Sequence, residues 1–138
     1  LTQDLLLNYP DKKIQFEISL EQKVFFIDYN LFEQVLINLI DNALKYIDQT
    51  GYIKIRSYHQ ENVDYLIIND NGIGIPEEQL HRIFERFFRG DSSRSSDIQG
   101  TGLGLSIVKH IIQKHDGKIK AQSEKEGGTS FIISLPTH

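Results

Sequence analysis

The hydrophobic residues of the chain recur with two different periods, and each change of period marks a new element. From Ile14 to Leu20 apolar and polar side chains alternate, which predicts a half-buried strand. Over residues 30–48 the apolar positions recur at spacings of three and four, which predicts a long amphipathic helix capped by Asp28 or Asn30. The same spacing predicts a second long helix over Gly104–His115.

Four other segments are rich in β-branched and aromatic residues or alternate in polarity, as strands do. Tyr52–Tyr58 and Val63–Asp70 flank a polar loop at residues 60–62 and predict one hairpin. Lys118–Ser123 and Thr129–Leu135 predict a second hairpin around a pair of glycines.

Three shorter features complete the expected order of elements. A short strand is expected at Val24–Ile27, a short helix at about Glu77–Phe84, and a mobile loop over the polar stretch Gly90–Thr101. Paired strands with helices between the pairs predict a two-layer α/β sandwich. We expect one mixed, mostly antiparallel sheet of about five strands, with about three helices packed on one face.

Composition narrows the class of protein. A chain of 138 residues with 39% hydrophobic and 25% charged residues is typical of a single globular domain. A net charge of −4 disfavours non-specific binding to nucleic acid or to an anionic membrane. The absence of cysteine excludes disulfides, thiolate zinc sites and cysteine nucleophiles. Residues 1–10 carry no signal-peptide pattern. The first residue is Leu1 and not methionine, so we expect a piece of a longer protein.

The first long helix carries a polar stripe beside its buried face. On a helical wheel, Asn42, Lys45 and Tyr46 lie roughly 40°, −20° and 80° from Asn38. This places them away from the solvent side that carries Asp41. Amide oxygens suit Mg²⁺ and an ammonium suits phosphate. The alternative interpretation is a polar helix shoulder without any ligand.

Asp70 ends a predicted strand and is followed by a turn with glycines at positions 72 and 74. It has the same parity as Leu66 and Ile68, so all three side chains point to one sheet face. If helices cover that face, the carboxylate is partly buried and needs a donor, for which the exocyclic amine of a nucleobase is suitable. The alternative is an aspartate that caps a glycine turn.

Three alternating glycines, Gly100, Gly102 and Gly104, precede the second long helix. Glycine allows the backbone to approach a phosphate closely, and a helix N-terminus offers unpaired N–H groups. The spacing matches neither a Walker A loop nor Gly-x-Gly-x-x-Gly, and a flexible hinge is the alternative.

Two further groups of residues could carry chemistry. Arginines interleaved with phenylalanines precede the polar loop, and each arginine is either solvated or faces phosphate. They are Arg82, Arg86, Arg89 and Arg94. The five histidines have no metal-ligand spacing, so we expect them at the surface or on helix shoulders.

Taken in this order, the motifs resemble the N, G1, F and G2 boxes of the catalytic domain of bacterial sensor histidine kinases, within the Bergerat-fold ATPase superfamily. A fifth segment resembles the last glycine box of that domain. The resemblance extends over most of the chain, from about residue 15 to residue 136. The matching segments are residues 34–46, 70–76, 83–89, 100–105 and 128–131.

This resemblance implies the cofactors ATP and Mg²⁺ and a role for each motif. Asn42 is expected to bind Mg²⁺, with Asn38 in or near its coordination shell. Lys45 and Arg89 are expected to reach the phosphates, and these four residues form the expected catalytic set. A mobile lid is expected at about residues 90–103.

The same resemblance implies how the base is held. Tyr46 is expected to pack against adenine, and Asp70 is expected to accept a hydrogen bond from the adenine amine. Other residues of the boxes are expected to line the nucleotide. They are Gly72, Gly74, Ile75, Gly100, Thr101, Gly102, Leu103, Gly104, Leu105 and Thr129.

Three positions depart from patterns in the superfamily. Leu31 stands where the family usually has an arginine, and Glu126 stands where it usually has a glycine. Both are expected at the edge of the site. Hydrolytic relatives have a glutamate at the position of Asn38. Because an amide cannot take a proton, Asn38 favours phosphoryl transfer to another nucleophile over hydrolysis.

No histidine in this chain has the sequence context of the histidine that such a kinase phosphorylates. The resemblance therefore implies a monomeric catalytic domain at residues 11–138, preceded at residues 1–10 by the tail of a connecting helix. The phosphoryl group is expected to pass to a histidine on a separate dimerisation domain of the same parent, and then to a response-regulator receiver domain. The parent is expected to be a homodimer in the membrane, with this part cytoplasmic and touching neither membrane nor nucleic acid.

Two alternatives remain open from the sequence. One is a Bergerat-fold serine kinase of the anti-sigma type, whose acceptor is a serine on a separate protein. The other is a nucleotide sensor that binds ATP without phosphotransfer.

Overall fold

The computed structural model describes residues 7, 9–20, 28–85, 104–123 and 127–136. The strand expected at Val24–Ile27 lies outside these residues. A short 3₁₀ helix, Glu77–Gln79, lies between the third strand and the second α-helix. The other elements of the described ranges are β1 (Lys13–Leu20), α1 (Tyr29–Tyr46), β2 (Thr50–Gln60), β3 (Val63–Asp70), α2 (Gly104–Lys114), β4 (Lys118–Ser123) and β5 (Thr129–Pro136).

The strands form one sheet in the order β1-β2-β3-β5-β4. β1 pairs with β2 in parallel, and the other neighbours pair antiparallel. The mixed, mostly antiparallel sheet is therefore confirmed. Glu61 and Asn62 form the β2–β3 turn with positive φ of 52° and 66°, as two-residue hairpins require. Gln60, which we expected in this loop, is the last residue of β2.

Alternate residues of β2, β3 and β5 face the two helices and form the core with them, so the two-layer sandwich is confirmed. The fully buried large side chains are Val35, Leu39, Ile40, Leu44, Ile47, Ile53, Leu66, Ile68, Ile112, Phe131, Ile133 and Leu135. No helix in the described ranges is both long and apolar enough to cross a membrane.

The helix expected at about Glu77–Phe84 was wrong in length. The segment is a single 3₁₀ turn followed by irregular turns, and no side chain caps its start. It is anchored by burial of Ile83, at 5% exposure, and by the edge of Phe84 against Phe131, with ring centroids 6.2 Å apart. Two anchoring side chains hold the segment without the cooperative hydrogen bonding that a longer helix needs.

Both ends of α1 are held by side chains. Asp28 caps the N-terminus by accepting a 3.1 Å hydrogen bond from the backbone N–H of Leu31. At the other end the ammonium of Lys12 donates to the carbonyl oxygens of Leu44 and Ile47. These bonds satisfy carbonyl groups that a helix end leaves unpaired. They fix the half of α1 that carries the predicted polar stripe.

A histidine and a buried aspartate form a pair at the end of the sheet farthest from Asp70. Asp64 is 1% exposed, and its Oδ1 lies 2.8 Å from Nδ1 of His59. Its Oδ2 has no hydrogen-bond partner in the part of the chain described here. His59 therefore compensates a buried carboxylate, a role that its sequence position did not indicate.

Replacing His59 with alanine is expected to destabilise the domain by about 1–2 kcal/mol, because Asp64 loses the donor that compensates its burial. Adding Asp64→Leu should recover most of that loss, since the buried charge is then gone. Urea unfolding at neutral pH measures both effects. His110→Ala, at an exposed position of α2, is the matched control. Equal losses in the His59 and His110 variants would contradict the assignment.

Candidate functional site

The polar stripe predicted on α1 lies at the edge of the core. Asn38, Asn42, Lys45 and Tyr46 are all half-buried, while neighbouring positions such as Ala43 are fully buried. The stripe is therefore neither a solvated helix face nor part of the apolar core. Its last residue, Tyr46, lies beside the turn after β3.

Asp70 ends β3 on the helix-facing side of the sheet and is only 4% exposed, as its parity predicted. Its Oδ1 accepts a 2.8 Å hydrogen bond from the backbone N–H of Gly72. Burial raises the pKa of Asp70 to about 6, and backbone hydrogen bonds from Gly72 and Thr129 offset only part of this effect. The carboxyl group is thus poorly compensated by the protein itself.

The turn after Asp70 is in contact with the end of α1. The backbone N–H of Ile73 donates to the carbonyl oxygen of Tyr46 at 3.1 Å. A Cβ on Gly72 would lie 2.6 Å from the same oxygen, closer than real atoms approach. Gly72 therefore permits the contact that brings the glycine turn and the polar stripe into one site.

A second close approach fixes the start of β5 against Asp70. Gly128 has φ of 96°, and a Cβ there would lie 2.1 Å from the carbonyl oxygen of Asp70. The next residue, Thr129, is 4% exposed and pairs with Asp70 across the sheet. The Ser123 hydroxyl at the end of β4 donates to the carbonyl oxygen of Ile75. The glycine turn is therefore held by contacts with the end of α1, the end of β4 and the start of β5.

The N-terminus of α2 closes another side of the site. A Cβ on Gly104 would lie 3.2 Å from Oδ1 of Asn38, so the start of α2 lies directly against the polar stripe. The first N–H groups of a helix have no partner within it, and they carry the positive end of the helix dipole. Leu105 is half-buried against the core. This end of α2 is suited to an anion.

Several predicted site residues lie outside the described residues. They are Arg89, Gly100, Thr101, Gly102 and Leu103, together with the rest of the expected lid at residues 90–103.

One prediction about α1 was wrong. Asp41, expected on the solvent side, is half-buried and has two partners. Its Oδ2 lies 3.2 Å from the ammonium of Lys45, and its Oδ1 accepts a 2.8 Å hydrogen bond from the Tyr9 hydroxyl. The reason is that Tyr9, 32 residues earlier, covers this part of the helix. Helical periodicity alone carries no signal for such a distant contact.

The donor set fits a magnesium ion only in part. Among the described residues no group of three or more histidine, cysteine or acidic side chains could hold a metal. Asn38 and Asn42 instead offer two amide oxygens on adjacent turns of α1. Mg²⁺ prefers oxygen ligands and usually completes its shell with water and ligand phosphates. The pair therefore fits Mg²⁺ that arrives with a nucleotide.

Comparison with known proteins gives a consistent set of relatives. The family model for histidine kinase-, DNA gyrase B-, and HSP90-like ATPases matches residues 27–138. The sensor protein SrrB of Staphylococcus aureus is 45% identical over 116 residues, which are 84% of this chain and 20% of SrrB. The chain thus spans about a fifth of the length of the curated relatives it matches.

Solved structures show the same likeness. The mycobacterial sensor histidine kinase MprB aligns with a TM-score of 0.85 and 33% identity, over 97% of this chain and 89% of that chain. The histidine kinase AdeS of Acinetobacter baumannii aligns with a TM-score of 0.73 and 31% identity, over 99% of this chain and 62% of that chain.

Asp70→Asn is expected to stabilise the ligand-free domain at pH 7. The pKa of Asp70 in the folded domain, about 6, exceeds the ordinary value of 3.8. The stability that this carboxyl group contributes is therefore fully present below about pH 4 and is lost as pH rises through 6. The shift corresponds to a loss on the order of 2–3 kcal/mol. The free energy of unfolding of the variant should therefore exceed that of the parent by about 1–3 kcal/mol at pH 7, and by much less at pH 4.

Urea unfolding at the two pH values measures this difference. Asp11→Asn, at an exposed position, serves as the control and should show no comparable dependence on pH. An Asp70→Asn variant that is no more stable than the parent at pH 7 contradicts the assignment of a costly buried carboxylate.

Proposed function

The chain belongs to the histidine kinase-, DNA gyrase B-, and HSP90-like ATPase family, as the ATPase domain of a sensor histidine kinase, and we propose that it binds Mg-ATP. In this proposal it supplies the γ-phosphoryl group to a histidine on a separate dimerisation domain of its parent. The proposed nucleotide site lies between the end of α1, the turn after β3 and the start of α2.

The buried carboxylate of Asp70 is the observation that carries this proposal. A carboxylate at 4% exposure is costly, and the backbone hydrogen bonds from Gly72 and Thr129 offset only part of that cost. The exocyclic amine of adenine is a donor that would relieve this cost, whereas guanine presents a carbonyl at the same place. The half-buried ring of Tyr46, at the end of α1, is proposed to pack against the base.

The phosphate end is proposed to lie along α1 towards Asn38. Mg²⁺ would neutralise charge on the phosphates, with Asn42 as a ligand and Asn38 in or near its shell. Lys45 and Arg89 are proposed to bind phosphate oxygens, and the N-terminus of α2 at Gly104 adds a favourable dipole. These side chains orient the γ-phosphoryl group for a nucleophile.

Other residues of the boxes are proposed to surround the nucleotide. Those near the base and ribose are Gly72, Gly74, Ile75 and Thr129, and those near the phosphates are Gly100, Thr101, Gly102, Leu103 and Leu105. A lid at about residues 90–103 is proposed to cover them.

The acceptor is proposed to come from outside this domain. His59 lies at the far end of the sheet. His110 lies in the second half of α2, whose first residue faces the site, and His115 directly follows the end of that helix. Asn38 carries an amide that cannot activate water, which favours transfer over hydrolysis. The next acceptor is proposed to be a response-regulator receiver domain, and the parent to be a membrane-anchored homodimer with this domain in the cytoplasm.

Replacing Asp70 with alanine should weaken Mg-ATP binding by about 10- to 150-fold, equivalent to about 1.5–3 kcal/mol, through loss of a hydrogen bond to a charged group. It should also reduce the preference for ATP over GTP. Calorimetric titration with both nucleotides measures this, with Asp11→Ala as the exposed control. An unchanged dissociation constant would indicate that Asp70 only caps the glycine turn.

The isolated domain with radiolabelled Mg-ATP should not label itself, because an in-line nucleophile must lie within about 3–3.5 Å of the γ-phosphate. Mixed with the histidine-bearing hairpin of its parent, it should label that hairpin slowly, with an acid-labile bond. Asn42→Ala should abolish labelling through loss of a metal ligand. Asn30→Ala, at an exposed position of α1, is the matched control.

Two outcomes of the same assay would select the alternatives. An acid-stable label on a serine of a partner protein would indicate a kinase of the anti-sigma type. Tight ATP binding without transfer to any histidine hairpin would indicate a nucleotide sensor.

A further inference from the structure

A short chain of polar contacts joins the beginning of the described chain to the polar stripe on α1. The Tyr9 hydroxyl donates to Oδ1 of Asp41 at 2.8 Å, and Oδ2 of Asp41 lies 3.2 Å from the ammonium of Lys45. The Asp41 and Lys45 side chains are 30% and 24% exposed. Both oxygens of one half-buried carboxylate are therefore engaged, one of them by the proposed phosphate ligand.

The position of Tyr9 is fixed by its own surroundings. The backbone N–H of Lys12 donates to the Tyr9 carbonyl oxygen at 3.1 Å, which closes a turn. The Lys12 ammonium lies 5.1 Å from the centre of the Tyr9 ring and also donates to the carbonyl oxygens of Leu44 and Ile47. Burial, together with the hydrogen bond to Asp41, raises the pKa of Tyr9. The hydroxyl therefore remains a donor at neutral pH.

We propose that Asp41 and Tyr9 set the affinity of the site for nucleotide phosphates, with the Asp41 carboxylate competing for the Lys45 ammonium and the Tyr9 hydroxyl holding that carboxylate in place. This inference rests on the proposed function. It assigns roles to two residues outside the proposed set of nucleotide ligands.

The competition follows from charge and geometry. Lys45 carries one ammonium group, and in the ligand-free domain this group is paired with an anion one helical turn away. A phosphate can bind the ammonium only by sharing it with Asp41 or by drawing it away. Asp41 also places a negative charge beside Lys45, where it repels the phosphates. The carboxylate thus lowers phosphate affinity in two ways.

The Tyr9 hydroxyl keeps the Asp41 carboxylate oriented towards Lys45. Without the hydroxyl, the partly exposed Asp41 side chain could rotate towards water and release Lys45. With the hydroxyl in place, Oδ1 is held and Oδ2 stays directed at the ammonium. By reciprocal linkage, phosphate binding at Lys45 should weaken the contact of Tyr9 with α1.

Calorimetric titration of four chains tests the inference: the parent, Asp41→Asn, Tyr9→Phe and the double variant. Asp41→Asn should bind Mg-ATP up to about fivefold more tightly, the upper range for a partly exposed ion pair. Tyr9→Phe should act in the same direction with a smaller effect, and it should add nothing to Asp41→Asn. Adenosine, which lacks phosphates, should bind all four chains equally.

Glu33→Gln, which removes the same charge at an exposed position of α1, is the control and should leave Mg-ATP affinity unchanged. Weaker or unchanged Mg-ATP binding by Asp41→Asn overturns the inference, because the carboxylate then aids Lys45 or is irrelevant to it. Equal changes for adenosine and ATP, or additive effects of the two substitutions, overturn it as well. A parent chain that does not bind Mg-ATP rejects the proposed function itself.

Discussion

The contact between the turn after β3 and the end of α1 determines the geometry of the whole site. The Tyr46 carbonyl oxygen accepts the Ile73 N–H and lies where a Cβ on Gly72 would collide. Because the backbones touch here, the turn that follows Asp70 lies against the end of the helix that carries the amides. Any side chain at position 72 would separate the group proposed to bind the base from those proposed to bind the phosphates.

This arrangement has a cost that the core offsets. Asp70 is buried with two backbone donors, Gly72 and Thr129, and its burial still raises the pKa above the ordinary value, so ionising this group costs more in the folded domain than in water. The apolar core formed by both helices and the three central strands provides the compensating stability. A hydrogen bond from a ligand's amine also contributes more binding free energy when its acceptor is poorly solvated. In this account the same carboxylate weakens the empty domain and selects the ligand.

Much of the fold could be predicted because it depends on local periodicity. Alternation over Ile14–Leu20 and the three-four spacing along α1 and α2 identified these elements, and the parity of Asp70 with Leu66 identified its face. The burial of Asp70 then followed once helices covered that face. The short segment after Pro76 was predicted less well, since two anchoring side chains replace a full helix there.

The features that could not be predicted depend on residues far apart in sequence. Tyr9 contacts Asp41 across 32 positions. β1 pairs in parallel with β2, and α1 lies between these two strands in sequence. His59 and Asp64 are close in sequence, yet their pairing matters only because Asp64 is buried by the rest of the fold. Helical and strand periods describe which side of an element faces inward. They do not describe which distant side chain covers it.

The carboxyl carbon of Asp70 offers the most direct test of this account. Its titration can be followed by ¹³C NMR in the free domain and in the presence of saturating Mg-ATP. We expect a pKa near 6 in the free domain and a clear decrease with nucleotide, because the adenine amine stabilises the charged form. A pKa that is unchanged or higher in the complex would contradict the proposed contact between Asp70 and the base.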